Sequence, residues 1–91
     1  MYRLKYRKST RNYIARLPRK IKTTIVEKLH ELCENPDRTN LDIKRLASSS
    51  YFRMRIGKYR VIYTLHSDEL IIEVIKVGSR GDIYRNLDKK E

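Results

Sequence analysis

The chain of 91 residues carries 22 Lys and Arg against 11 Asp and Glu, a formal net charge of +11 at pH 7. This length suits one domain, residues 1–91, and a hydrophobic fraction of 40% argues against disorder. The single cysteine, Cys33, excludes an internal disulfide, and neither histidine has a second ligand at metal spacing, so we expect no metal or other cofactor. No apolar run approaches the ~20 residues of a membrane span, and the N-terminus lacks a signal-peptide core. We therefore expect a cytoplasmic protein without membrane contact.

The positive charge is concentrated in the first third of the chain. Residues 1–30 hold ten basic side chains and one acid, Glu27, whereas residues 31–50 are nearly balanced and residues 51–91 hold nine basic and six acidic side chains. Exposed Lys and Arg are ordinary on helix and strand surfaces. A surplus of this size in a small domain nevertheless favours a polyanionic partner, either nucleic acid or an acidic protein.

The first half of the chain predicts one strand and two helices. Alternating Tyr and Leu with basic residues predict a strand near residues 2–7. Ser9 or Thr10 is expected to cap a short helix that reaches Leu17. Pro18 suits the first turn of a second helix, which ends at Asn35-Pro36-Asp37. Its apolar stripe consists of Ile21, Ile25, Leu29, Leu32 and Cys33. A polar connector is predicted from there to residue 50.

The second half changes to a period of two, which is typical of strands. Residues 51–56 and 59–65 predict two antiparallel strands joined by a Gly57-Lys58 turn, and residues 70–77 predict a more buried strand. A short segment with Tyr84 and a loose tail at residues 87–91 follow. The predicted fold is α+β, β-α-α-β-β-β, an antiparallel sheet with both helices packed on one face and the other face open.

Three arginines are predicted to converge on the open sheet face. If Phe52, Met54 and Ile56 face the helices, Arg53 and Arg55 point outward, and Arg60 joins them across the turn. No acidic residue lies between them in the sequence, and arginine clusters of this kind suit phosphate groups. The alternative is that these arginines serve solubility and edge protection. Arg80 and Tyr84 could add a further cation and a ring that stacks on an unpaired base.

Residues 51–63, YFRMRIGKYRVIY, and residues 74–85, VIKVGSRGDIYR, resemble the RelE branch of the RelE/ParE superfamily of type II toxins. The resemblance implies a RelE-like fold of the microbial ribonuclease type and a toxin that enters the ribosomal A site and cleaves mRNA without a metal. It also implies a cognate acidic antitoxin that silences the toxin, with operator DNA bound only through the antitoxin complex. Carried over by position, the implied catalytic residues are Arg53, Arg55, Arg60, Arg80 and Tyr84.

The implied reaction is attack of a ribose 2′-OH on the adjacent phosphate, which requires a general base. The best-known RelE members carry lysines at the positions of Arg53 and Arg55, and a guanidinium is a poor base. The base is therefore unassigned, with Tyr84 as a candidate. Binding to ribosomal RNA is expected from Arg19, Lys20, Lys22 and Lys58. Two alternatives stay open: a ParE-like inhibitor of DNA gyrase, and an RNA- or ribosome-binding module that does not cleave.

Overall fold

The computed structural model describes residues 1–37, 40–46 and 50–79 of the chain. In chain order its elements are β1 (Arg3–Tyr6), α1 (Lys8–Ala15), α2 (Arg19–Glu34), β2 (Asp42–Arg45), β3 (Tyr51–Ile56), β4 (Tyr59–His66) and β5 (Ile71–Gly78). The strands form one sheet in the order β1-β5-β4-β3-β2, with β1 parallel to β5 and the other pairs antiparallel. The predicted α+β class is confirmed.

Strand β2 is the main departure from the predicted element order. It lies within the stretch predicted as a polar connector and pairs antiparallel with β3 at one edge of the sheet. Ile43 is its only apolar residue, and the other three side chains are exposed. A four-residue edge strand with one inward side chain lacks the alternation that identifies longer strands, which explains why the sequence pattern did not predict it.

The two helices pack on one sheet face, as predicted. Helix α2 begins after Pro18, and its buried side chains are Ile25, Leu29, Leu32 and Cys33. Together with Ile14 of α1 they join a single core with strand residues that include Met54, Val61 and Tyr63. The rings of Phe52 and Tyr63 stack within this layer, with centroids 5.4 Å apart. The core thus fixes which face of β3 and β4 points away from the helices.

The predicted cap of α1 is wrong in detail. The N-cap is Arg7, which makes no side-chain capping bond, and Thr10 lies inside the helix. The Thr10 hydroxyl instead donates a buried hydrogen bond to the main-chain carbonyl of Ile75, at 2.6 Å. Because Thr10 is nearly fully buried, this bond ties α1 to β5 rather than to its own first turn.

A bulge in β5 shapes the face opposite the helices. Ile62 of β4 lies opposite Lys76, but the next residue of β4, Tyr63, lies opposite Val74, so Ile75 is skipped in the register. Ile62 and Ile75 are buried in a second, smaller cluster with partly buried Leu46 and Tyr51. The prediction that this face is entirely open is therefore wrong at its centre. No helix in the described ranges is long and apolar enough to cross a membrane.

Candidate nucleic-acid interface

A two-residue turn sets the register of the arginines on β3 and β4. Gly57 has a φ of 57°, which suits the first central position of a type II′ hairpin turn. The turn places Arg55 directly opposite Arg60 on the face that points away from the helices. Within the described ranges neither guanidinium has an ion-pair partner. Like charges directly opposite each other destabilise a sheet, so this pair works against stability.

Arg53, in contrast, is held in place by a carboxylate. Its Nη2 atom lies 3.1 Å from Oδ1 of Asp42 on β2, and its side chain is only 13% exposed. The Nε atom is buried and has no hydrogen-bond acceptor among the described residues. The sequence holds no acidic residue between the three arginines, but the unpredicted strand β2 brings Asp42 beside them.

Four residues form a row across the sheet. Asp42 lies opposite Arg55, Arg55 opposite Arg60, and Arg60 opposite Gly78. Adjacent strands are about 4.8 Å apart, so the row places one carboxylate and two guanidinium-bearing positions within about 10 Å along one face. Arg80 follows Gly78 by two residues in the sequence.

Two lysines that are not among the predicted site residues flank the row. Lys44 lies opposite Arg53, and Lys76 lies opposite Ile62 in the neighbouring positions of the sheet. Lys76 interrupts the apolar run of β5, a signal that could have identified it. Lys44 could not be placed without β2. The described part of the face is therefore more basic than the three arginines alone indicate.

Two of the five predicted catalytic residues lie outside the described residues. These are Arg80 and Tyr84, and the predicted tail at residues 87–91 lies outside them as well. The structure brings Arg53, Arg55 and Arg60 together on one face, as the alternation of β3 and β4 predicts.

The four predicted RNA-binding residues do not form one surface. Lys20 and Lys58 line the same groove of about 260 Å³ between α2 and the β3–β4 hairpin, where Ile21, Ile56 and Tyr59 supply the apolar lining. Lys22 lines a different groove, beside α1. Residues two apart on a helix point about 200° apart, which explains the separation. Arg19, the first residue of α2, is exposed.

The titratable groups in the core are poor candidates for chemistry. Burial raises the pKa of the Cys33 thiol, and burial together with the neighbouring Cys33 raises the pKa of Tyr6. Burial also raises the pKa of Tyr63. Each of these groups is neutral at physiological pH and faces the helices or the core between them. Cys33 therefore belongs to the core, as the stripe on α2 predicts.

His66 lies at the opposite end of the sheet from the paired arginines. Its Nε2 atom is 3.0 Å from Oε1 of Glu73 and 3.2 Å from the Thr64 hydroxyl, and Oε2 of Glu73 lies 3.6 Å from Nε of Arg7. Both partners meet the same ring nitrogen, whereas a relay of the hydrolase kind needs one partner on each nitrogen. The geometry therefore favours a structural role.

The fold and this face define a small basic α+β protein with two arginines directly opposite each other on the sheet face that points away from the helices. The chain matches the model of the ParE toxin of type II toxin-antitoxin systems, parDE, over residues 4–84, and it belongs to this family. The resemblance to the RelE/ParE superfamily is thereby confirmed, and the chain is a RelE-like toxin of the type II class.

Similar proteins cover most of the chain. A Methanocaldococcus jannaschii protein that carries the name toxin RelE1 is 40% identical over 67 residues, which span 67% of this chain and 74% of that protein. Toxin RelG of Mycobacterium tuberculosis is 27% identical over 85 residues, 92% of this chain and 97% of RelG. Among solved structures, a chain of the archaeal RelE–RelB complex from Pyrococcus horikoshii OT3 superposes with a TM-score of 0.76 at 28% identity, covering 88% of this chain and 96% of that one.

Proposed function

We propose that this toxin is a ribosome-dependent endoribonuclease that cleaves mRNA in the A site and thereby inhibits translation. The observation that carries the proposal is the pair Arg55 and Arg60, which lie directly opposite each other without an ion-pair partner in the described ranges. A pair of this kind costs stability in the free protein and gains it when a phosphate lies between the guanidinium groups. Its placement is thus better suited to binding an anion than to holding the sheet together.

Each predicted site residue has a role in this reaction. Arg53, Arg55 and Arg60 bind phosphates of the message and neutralise the charge that develops on the reacting phosphate. Arg80 stabilises the same charge or that of the departing oxygen, and Tyr84 stacks on a base of the A-site codon. Because guanidinium groups supply the positive charge that the transition state requires, the proposed reaction does not call for a metal ion.

The proposed partner that silences the toxin is an acidic antitoxin. The groove between α2 and the hairpin has an apolar lining with Lys20 and Lys58 beside it, which suits an acidic segment that carries apolar side chains and folds on binding. Operator DNA would be bound through the antitoxin. The Pyrococcus horikoshii chain is part of a RelE–RelB complex, which makes such a partner reasonable here. Since the same two lysines are proposed to contact ribosomal RNA, antitoxin and ribosome would compete for the groove.

The test uses ribosomes stalled with a defined codon in the A site. Purified toxin is added to these ribosomes and, separately, to the same mRNA without ribosomes, and cuts are mapped by primer extension. We expect cuts within the A-site codon only when ribosomes are present. Arg80→Ala is expected to lower the cleavage rate by on the order of 10², with ribosome binding nearly intact.

The second candidate function is inhibition of DNA gyrase, which the match to the ParE toxin family favours. The same preparation is therefore assayed for gyrase supercoiling. An intact message together with blocked gyrase would replace the ribonuclease proposal with the gyrase one. An intact message with unimpaired gyrase but tight ribosome binding would indicate a binding module that does not cleave.

A further inference from the structure

We infer that Asp42 is the general base of the proposed cleavage reaction, the group that removes the proton from the attacking ribose 2′-OH. The inference rests on the proposed ribonuclease function and assigns the one role that the arginines cannot fill. A guanidinium remains protonated in proteins and cannot accept a proton, so Arg53, Arg55 and Arg60 are excluded as bases.

Asp42 lies beside the arginine pair on the same face of the sheet. Asp42 lies directly opposite Arg55, which lies directly opposite Arg60, so all three side chains leave the sheet on the same face. A phosphate bound between the two arginines would therefore have the carboxylate on the β2 side of the row. Asp42 lies one strand spacing, about 4.8 Å, from Arg55, so the ribose 2′-oxygen next to a phosphate bound at Arg55 would point toward the carboxylate.

The contacts of Asp42 orient the carboxylate without using all of it. Oδ1 contacts Nη2 of Arg53 at 3.1 Å, while Oδ2 has no partner among the described residues. The side chain is 55% exposed, so a substrate can reach the second oxygen. Arg53 is itself largely buried, which fixes the direction in which the carboxylate points. One oxygen is thus anchored, and the other is available to accept a proton.

No other described carboxylate has a comparable position. Glu73 lies on the same face but toward the other end of the sheet, where its two oxygens contact His66 and Arg7. Asp68 and Glu69 lie in the exposed turn between β4 and β5, at that same far end. Asp42 alone, within the described ranges, combines a carboxylate with direct cross-strand pairing to the arginine row.

The step balances without a further reactant. Oδ2 of Asp42 takes the 2′-OH proton as the 2′-oxygen forms a bond to phosphorus, and the bond from phosphorus to the 5′-oxygen of the next nucleotide breaks. The departing 5′-oxygen takes a proton from water, and the resulting hydroxide takes the proton from Asp42. The products are a 2′,3′-cyclic phosphate and a 5′-OH, with the carboxylate restored.

The experiment measures single-turnover cleavage on programmed ribosomes at increasing toxin concentration, which separates the maximal rate from binding. The variants are Asp42→Asn, Asp42→Ser and Asp42→Glu, and the matched control is Asp68→Asn in the exposed turn. Removal of a general base costs typically 10²- to 10⁴-fold in rate. We expect a loss of at least about 10² in the maximal rate for Asn and Ser, with half-saturation within about twofold of wild type. Asp42→Glu should recover part of the loss, and Asp68→Asn should behave as wild type.

Two outcomes would overturn the assignment. One is a cleavage rate of Asp42→Asn within about threefold of wild type. The other is a reduced rate that returns to the wild-type value at higher toxin concentration, since that would mean that Asp42 only holds Arg53 for binding. Thermal melting of each variant identifies any that fail to fold, and Ser then replaces Asn in the comparison. If the wild-type toxin itself leaves the message intact, the proposed function fails instead, and this result is distinct from failure of Asp42 alone.

Discussion

Replacing Arg60 with Gln should make the protein more stable while it slows mRNA cleavage. Arg60 lies directly opposite Arg55, and neither has an ion-pair partner in the described ranges. Two unit charges about 5 Å apart in water repel by roughly 0.8 kcal/mol, and cross-strand pairs contribute about 0.2–1 kcal/mol. We therefore expect Arg60→Gln to raise the free energy of unfolding by about 0.5 kcal/mol at low salt. For a domain of this size that corresponds to a rise in Tm of about 2–4 °C.

The assay is urea unfolding at low salt and again near 1 M salt, where the Debye length is about 3 Å and the repulsion is screened. The stability gain of Arg60→Gln should disappear at high salt, because only its Coulomb part depends on ionic strength. The matched control is Arg53→Gln, which breaks the ion pair with Asp42 and should lower stability instead. Cleavage by Arg60→Gln on ribosomes should fall by about 10²–10³. A variant that is less stable at low salt, or a difference that salt does not change, would refute the view that this pair is kept for anion binding.

Three further predictions test other parts of the molecule. Thr10→Val removes the buried hydrogen bond to β5 and should lower the free energy of unfolding by about 1–3 kcal/mol. The control, Thr23→Val on the exposed side of α2, should change it little. Equal losses of unfolding free energy in the two variants would contradict a stabilising role of the Thr10 hydrogen bond. Lys20→Glu and Lys58→Glu should each lower the slope of log ribosome affinity against log salt concentration by about 1, while cleavage at saturating toxin persists. An unchanged slope would show that the groove does not contact the ribosome. Burial raises the pKa of Tyr63, so the stability that its neutral form contributes is present below the unfolded value of about 10 and is lost as pH rises above it. The free energy of unfolding should therefore fall steeply between pH 9 and pH 11, and less steeply in Tyr63→Phe. Parallel curves of unfolding free energy against pH for the two proteins would contradict Tyr63 as the cause.

The sequence predicts those parts of the fold that depend on long periodic patterns. The apolar stripe from Ile21 to Cys33 repeats over more than three helical turns, so it identifies α2 and its buried face. The alternation around Gly57 identifies β3, β4 and their turn, and with them the shared face of the arginines. What the pattern does not contain is the pairing of distant segments, such as β1 beside β5, because that depends on packing of the whole chain.

The short strand β2 is also the reason why part of the candidate site cannot be predicted from the sequence pattern. Asp42 and Lys44 lie on a strand of four residues that is held by pairing with β3 and by one half-buried side chain, Ile43. Such a strand forms because its partner is present, and its own sequence resembles a loop. The bulge at Ile75 is likewise a property of the β4–β5 pair, and it turns an apolar side chain toward a face predicted to be open. The position of Asp42 beside the arginines could not be predicted, because β2 was not predicted.

We expect this toxin to cleave mRNA by attack of a ribose 2′-OH, with the row from Asp42 to Arg60 as the reacting face. The end groups of the cleaved message test it most directly. Cleavage products from programmed ribosomes are treated with polynucleotide kinase and labelled ATP, with and without prior phosphatase. We expect the downstream fragment to be labelled without phosphatase, because it carries a 5′-OH, and the upstream fragment to end in a 2′,3′-cyclic phosphate. A 5′-phosphate on the downstream fragment, or a message that remains intact, would contradict it.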